Sequence, residues 1–212
     1  MPRPAGDMHS RGHGVRIISG THKGLRLAVP DCPGVRPTPD RVRETIFARL
    51  GDTVRTTVLD LFAGSGALGI EAMSRGARRV TLVDNQQQVC MQLRHAAKRL
   101  HEQSLEIVCM DALEFLRSAG ERHFGLVFLD PPYHASLLEP ALGLLREFRL
   151  LDSSSLIYAE CARGQLPLAP GYQIIREDSF GMVTSCLMRL TSPAPQHTAR
   201  LLPPGCPEHA DP

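Results

Sequence analysis

Four aspartates in this chain stand at or just behind apolar runs: Asp60, Asp84, Asp111 and Asp130. The last opens the stretch Asp130-Pro131-Pro132-Tyr133, directly after the run Phe124 to Leu129. Neither proline can donate a backbone hydrogen bond, so a strand stops there. Pro132 also forces the residue before it into extended backbone. The result is a stiff, carbonyl-rich corner with one acid and one flat ring. Such a corner can accept two hydrogen bonds from an amino group while the ring stacks on a planar base. Taken alone, these four residues fit an ordinary strand-to-loop turn equally well.

The other three acids narrow the choice, because in open α/β sheets ligands bind beyond the carboxyl ends of the strands. Asp60 leads into Phe62-Ala63-Gly64-Ser65-Gly66, whose glycines permit a tight turn and a close ligand approach. Asp84, followed by Asn85, comes about 20 residues after that turn, where a carboxylate can accept both hydroxyls of a ribose. Asp111-Ala112 can read an adenine edge. Asp84 and Asp111 could instead cap the helices that follow them. Gly64 to Gly69 fits Gly-x-Gly-x-x-Gly, a weak signal by itself. Asp60 would repel a pyrophosphate, and the Asp130–Tyr133 corner has no role in hydride transfer, so a nicotinamide dinucleotide fits poorly. An acid at the first strand end suits a cationic ligand with an amino acid moiety, such as S-adenosylmethionine with its sulfonium and ammonium. No Gly-Lys-Ser/Thr follows the glycines, which excludes a P-loop.

These residues need a scaffold of alternating strands and helices, and the pattern supplies one from Thr57 onward. Strands are expected over 58–62, 80–83, 105–110, 124–129 and 156–159, with a final pair over 172–175 and 182–190. Helices are expected over 67–75, 86–101, 112–117 and 137–150. Five such repeats predict a Rossmann-like, doubly wound, mostly parallel sheet of seven strands with a C-terminal antiparallel strand. Ahead of it, Val15–Ser19 and Leu25–Val29 predict a small β-hairpin. Pro30–Pro39 predicts an extended loop. Thr38 or Asp40 is expected to cap a helix ending at Leu50, with Val42, Ile46 and Leu50 as its apolar stripe and Arg41, Arg43 and Arg49 off it. Residues 1–14 and 192–212 lack periodicity and are expected to be disordered. That leaves 15–50 as a basic hairpin and helix, and 51–191 as the main domain.

Charge and composition bound the partners. Residues 1–50 hold nine Lys/Arg against four acids, whereas the remainder of the chain is net negative. A basic module on a mildly acidic body suggests a polyanion approached from one side. No stretch of 18 apolar residues exists, so no transmembrane helix is expected, and Met1–Gly14 lacks the apolar core of a secretory signal. The six cysteines form no Cys-x-x-Cys pair and no metal-ligand spacing, which suits a reducing cytoplasm and no metal.

The segments Arg16-Ile17-Ile18-Ser19-Gly20, Lys23-Gly24, Arg36-Pro37-Thr38-Pro39-Asp40-Arg41-Val42-Arg43-Glu44-Thr45-Ile46-Phe47, Leu59 to Gly69 and Phe128 to Tyr133 resemble the RsmD family. This is a family of class I S-adenosylmethionine-dependent methyltransferases acting on the exocyclic N2 of one guanine in bacterial 16S rRNA. The resemblance covers about residues 15–190. The Arg-Pro-Thr-x-Asp-Arg-Val-Arg-Glu segment is its most specific part. Asp84 stands where the family usually has Glu, and the two ends have no counterpart. The resemblance implies that Asp60 and Ala63–Gly66 hold the methionine part of the cofactor, Asp84 the ribose and Asp111-Ala112 the adenine. Phe62, Asn85 and Arg43 complete that pocket. Arg16, His22, Lys23, Arg26, Arg36 and Arg41 would contact RNA of the small ribosomal subunit, and a monomer is expected.

The chemistry at the corner follows from the acceptor. A guanine amino lone pair is delocalised into the ring and is a poor nucleophile. Asp130 and the Pro131 carbonyl can accept its two N–H bonds and aim the nitrogen, with Pro132 stiffening the turn and Tyr133 stacking on the base. A DNA amino-methyltransferase acting on adenine N6 or cytosine N4 would use the same corner, but this chain is short for a sequence-reading domain. A non-catalytic assembly factor would predict a broken glycine loop or a lost strand-end acid, and neither is seen.

Overall fold

The computed structural model describes residues 14–28, 38–132, 136–167 and 169–191. Tyr133, residues 30–37 of the proline-rich loop with Arg36 among them, and the two ends expected to be disordered lie outside these residues, apart from Gly14, which begins the first strand. In chain order the strands are β1 (Gly14–Arg16), β2 (Arg26–Ala28), β3 (Thr57–Asp60), β4 (Arg79–Asp84), β5 (Leu105–Cys109), β6 (Leu126–Leu129), β7 (Leu156–Ala162), β8 (Tyr172–Phe180) and β9 (Val183–Leu190). The helices are α1 (Asp40–Leu50), α2 (Ala67–Ser74), α3 (Gln87–Leu100), α4 (Ala112–Ser118) and α5 (Leu138–Glu147).

Seven strands form one sheet in the order β5-β4-β3-β6-β7-β9-β8. The first five are parallel, and β9 runs antiparallel between β7 and β8. Parallel strands need helical crossovers that cover both faces, so their side chains are apolar on both sides. Leu126 to Leu129 are all fully buried for this reason. Leu126 and Phe128 enter the core under α2 and α3, while Val127 and Leu129 enter the one under α4 and α5. The chain winds outward through β3, β4 and β5, then returns to β6 on the other side of β3. Strand order therefore reverses between β3 and β6, the place where such sheets open a crevice. Asp60 ends β3 and Asp130 follows β6 at that crevice.

The basic N-terminal segment shares a core with the sheet. Ile17 and Leu27 of the hairpin pack with Ile46 and Phe47 of α1 and with residues of α2 and α3. Glu71, the single acid of the wholly buried α2, accepts hydrogen bonds from the backbone of Ile18 (2.8 Å) and Ser19 (3.1 Å) and from Arg75 Nε (2.7 Å). Its Oε2 lies 3.5 Å from Nη1 of Arg43. The turn of the hairpin rests on the C-terminal end of α2, where Thr21 N–H donates to the Ser74 carbonyl at 2.8 Å. Gly20 sits there at φ +83, and a Cβ on it would lie 1.7 Å from the same carbonyl oxygen, so only glycine fits.

β8 runs to Phe180, five residues beyond the expected 175, because β9 pairs with it over that length, and three further details depart from the sequence expectation. The buried side of α1 is Arg43, Ile46, Phe47 and Leu50, with Val42 only half-buried, so Arg43 belongs to the stripe it was expected to avoid. The N-cap of α1 is Pro39 and no side chain caps it, because Asp40 bonds to Arg43 instead. β7 runs three residues beyond Ala159 because β9 pairs with it as far as Ala162.

Candidate active site at the strand ends

The crevice is framed by hydrogen bonds that tie neighbouring strand ends together. Leu61 N–H donates to the Phe128 carbonyl, and Ala63 N–H to the Val83 carbonyl. Gly64 N–H donates to Asp84 Oδ2 at 2.9 Å, while Asp84 Oδ1 accepts from Gln86 N–H at 2.8 Å. Asp84 thus ties down the glycine loop and the turn that leads into α3, using two of about four acceptor positions on its carboxylate. The rest are free of protein hydrogen bonds among the described residues, as a ribose diol would require. Asp111 Oδ1 accepts from Leu113 and Glu114 N–H, so it caps α4, the role weighed as the alternative.

Asp60 is the deeply buried member, 2% exposed, and its Oδ2 accepts from Gly69 N–H at 2.9 Å. Gly69 allows this contact: a Cβ there would stand 2.2 Å from Leu82 Cδ2 and 3.1 Å from Asp60 Oδ2. Burial pushes the Asp60 carboxyl up to about 7, against the Gly69 bond that lowers it, with Asp84 adding a smaller upward push. A carboxyl so poorly compensated by protein is ready for a cation, and an α-ammonium group fits that need.

Asp130 stands one step beyond the end of β6. It keeps some surface, yet its carboxyl is largely desolvated, and burial raises its pKa well above the usual carboxylate value. The neighbouring carboxyls of Glu160 and, less strongly, Asp60 push it further the same way. Pro131 is buried and Pro132 exposed, and both line a cavity of about 260 Å³. Glu160, on the same wall, is 6% exposed and accepts a hydrogen bond from Tyr158 Oη at 2.8 Å. Glu160 was missed from sequence, although a lone charge inside the apolar run Leu156 to Ala162 was a visible signal.

Comparison with known proteins agrees with this architecture. The family described as Conserved hypothetical protein 95 matches residues 15–189. Ribosomal RNA small subunit methyltransferase D of Escherichia coli (strain K12) is 42% identical over 178 residues, which cover 82% of this chain and 89% of that protein. The protein of the same name from Haemophilus influenzae is 38% identical over 175 residues, covering 80% and 91%. The chain belongs to the RsmD family. The solved structure of the yhhF protein of Escherichia coli superposes with a TM-score of 0.77 at 37% identity, covering 84% of this chain and 99% of that one.

Within this RsmD-family fold the expected residues fall into two groups. Asp60, Phe62, Ala63, Gly64, Ser65, Gly66, Asp84, Asn85, Asp111, Ala112, Asp130, Pro131 and Pro132 all gather at the carboxyl ends of β3 to β6. Arg43 is placed differently. It is 1% exposed, and its guanidinium donates to the carbonyls of Arg16 (2.7 Å) and Thr38 (3.2 Å) and to Asp40 (2.7 Å). Among the described residues its partners are protein groups of the N-terminal segment and Glu71, so Arg43 holds that segment together. His22 is likewise engaged, with Nε2 3.3 Å from the Leu100 carbonyl and 3.7 Å from Glu102. Because α2 and α3 run back from the carboxyl to the amino ends of the strands, His22 and Lys23 beside Ser74 and Leu100 lie at the end of the sheet opposite the crevice. Arg16, Arg26 and Arg41 are exposed and make no ion pair among the described residues. No group of His, Cys, Asp or Glu among the described residues could hold a metal, and no described helix is long and apolar enough to cross a membrane.

Proposed function

We propose that this chain transfers a methyl group from S-adenosylmethionine to the exocyclic N2 of a guanine in the RNA of the small ribosomal subunit, acting in the cytoplasm on the assembled particle. The observation that carries the reading is the placement of Asp130-Pro131-Pro132 at the strand-order reversal, one strand away from a buried Asp60 and next to an open cavity. When bound, the cofactor supplies an electrophilic methyl group on a sulfonium. Asp60 and the Ala63–Gly66 turn hold its amino acid end, Asp84 its ribose, and the Asp111-Ala112 segment its adenine.

The chain's own residues then do three things. Asp130 and the Pro131 carbonyl accept the amino hydrogens of the base, which concentrates electron density on the nitrogen and fixes its direction. The buried wall of β6 and β7 excludes water and strengthens those bonds. As the nitrogen gains a bond it becomes acidic, and Asp130 takes the proton. Burial has raised its basicity in the direction this requires. The exposed Arg16, Arg26 and Arg41 are the cations left to meet phosphate.

The test is transfer of labelled methyl from the cofactor to small subunits purified from cells lacking this gene, followed by mapping of the modified nucleotide. Label on a single guanine N2 is expected. Equal labelling of duplex DNA would overturn the RNA assignment, and absence of label from both would overturn the enzyme itself.

A further inference from the structure

A second acid stands beside Asp130, and the reaction described above leaves it without a task. Leu129 of β6 pairs with Ala159 of β7 in parallel register, so Asp130 and Glu160 follow side by side. Their backbones are roughly 4.8 Å apart, the spacing of neighbouring strands, and their side chains leave the same face of the sheet. That face also carries Asp60, two residues lower along the strands, at the level of Phe128 and Tyr158. Glu160 lines the cavity together with Pro131, Pro132 and Pro167. Tyr158 Oη donates to Glu160 Oε1 at 2.8 Å, and no other hydrogen bond reaches this carboxyl among the described residues. Folding gives no reason for a carboxyl here. The strand is otherwise apolar, and a hydrophobe would avoid both the desolvation and the repulsion from Asp130.

We infer that Glu160 selects the base: Asp130 accepts a hydrogen of the N2 amino group while Glu160 accepts the N1–H next to it. This inference rests on the guanine-N2 reading. Among the four bases, only guanine carries an amino group beside a ring N–H. Adenine and cytosine place a ring-nitrogen lone pair at that position. Against Glu160 that lone pair would meet another acceptor, and both would be buried without a hydrogen. Sites built around such a bond reject an analogue that lacks it by large factors. Burial pushes the Glu160 carboxyl up, and Tyr158 works against that push, because its donated hydrogen bond fixes the carboxyl and favours the ionised, accepting form that the base's N1–H then meets.

The experiment compares two bases in two enzymes. Small-subunit RNA is reconstituted into subunits with guanine or 2-aminopurine at the methylated position; 2-aminopurine keeps the amino group but has a lone pair at N1. The wild-type enzyme is expected to prefer guanine by about 100-fold in kcat/KM. In Glu160→Gln the amide can donate to a ring nitrogen while its oxygen is a weaker, neutral acceptor, so the preference should shrink at least tenfold, through a faster reaction on 2-aminopurine together with a slower one on guanine. Loss of the carbonyl group at C6 in the analogue affects both enzymes alike and cancels in this comparison. Equal preference in the two enzymes would overturn the inference, as would a wild-type enzyme that methylates 2-aminopurine as fast as guanine. The second comparison needs no variant to fold. Failure of the underlying reading is distinguishable, since the wild type would then leave guanine-bearing subunits unmethylated.

Discussion

Replacing Glu71 by alanine should detach the N-terminal hairpin from the sheet while leaving the strand-end acids in place. The Glu71 side chain is fully buried and holds Ile18 N–H, Ser19 N–H and Arg75, with Arg43 at 3.5 Å. In Glu71→Ala the two backbone donors lose their acceptor, at about 1–3 kcal/mol for a buried orphan. Arg43 keeps Asp40 and two carbonyls but loses its buried counter-charge. Removing one partner of a buried ion pair costs about 3–5 kcal/mol, and that range is expected for the whole substitution. For a domain of this size each kcal/mol lowers Tm by about 2–4 °C, so a fall of roughly 6–20 °C is predicted. Urea titration gives the free energy, and amide exchange at Ile18 and Ser19 gives its location. Glu71→Gln keeps one accepting oxygen and should lose about half as much. A Glu71→Ala protein within about 1 kcal/mol of the parent, with Ile18 and Ser19 still protected, would refute the assignment of Glu71 as the anchor.

Asp60 predicts a pH dependence. Its carboxyl is raised to about 7 in the folded chain, and a cationic ligand binds the ionised form, so cofactor binding releases a proton. Affinity measured calorimetrically should rise with pH by up to about tenfold per unit below that value, then turn over near the α-amino pKa of about 8; a flat profile would sink the assignment. Without ligand the sign reverses: a raised carboxyl stabilises the fold while neutral, and Asp60's contribution is lost as pH climbs from near 3.8 through about 7. Gly69→Ala forces a Cβ against Leu82 and Asp60 and should destabilise the chain by about 1–3 kcal/mol in a thermal melt; an unchanged Tm would show that α2 can lift at no cost. Asp130→Ala should lower kcat by roughly 10²-fold or more with cofactor affinity retained, by single-turnover methylation; full activity would remove Asp130 from the chemistry.

The parallel sheet was legible because each strand is a short apolar run followed by a helix of the opposite periodicity. The positions of the acids at the ends of β3 to β6 were legible for the same reason, but their division of labour was not, since Asp111 caps α4 and Asp84 ties down the glycine loop. Strand order at the C-terminal side was not, because two hairpin-linked strands can join a sheet by either edge, and the pairing of β9 with β7 depends on the finished core. Arg43 misled because an arginine beside an apolar stripe is usually solvated, and its counter-charge Glu71 comes 28 positions later on another helix. Only the lone acid in an otherwise uncharged α2 hinted at that partner. The place of the hairpin was not legible either: its charge says nothing of position, whereas the docking of Gly20 and His22 on Ser74 sets that turn at the end of the sheet opposite the crevice and leaves Arg16 and Arg26 exposed.

The position of β9 has a consequence for how the chain is made. β7 is held on one side by β6 and on the other by β9, with Glu160 opposite Ser185. Synthesis delivers β3 to β7 first, and until β9 emerges the strand bearing Glu160 has a bare edge; β8, which follows, pairs among the described residues with β9 alone and waits for it too. An unpaired edge of this kind invites pairing with other chains. A product ending between Ala162 and Val183 would hold the whole glycine loop and the Asp130 corner, yet its base-reading wall would be unbraced and its sheet open. The chain therefore gains its substrate side last, and an incomplete copy is disposed to aggregate before it can bind RNA.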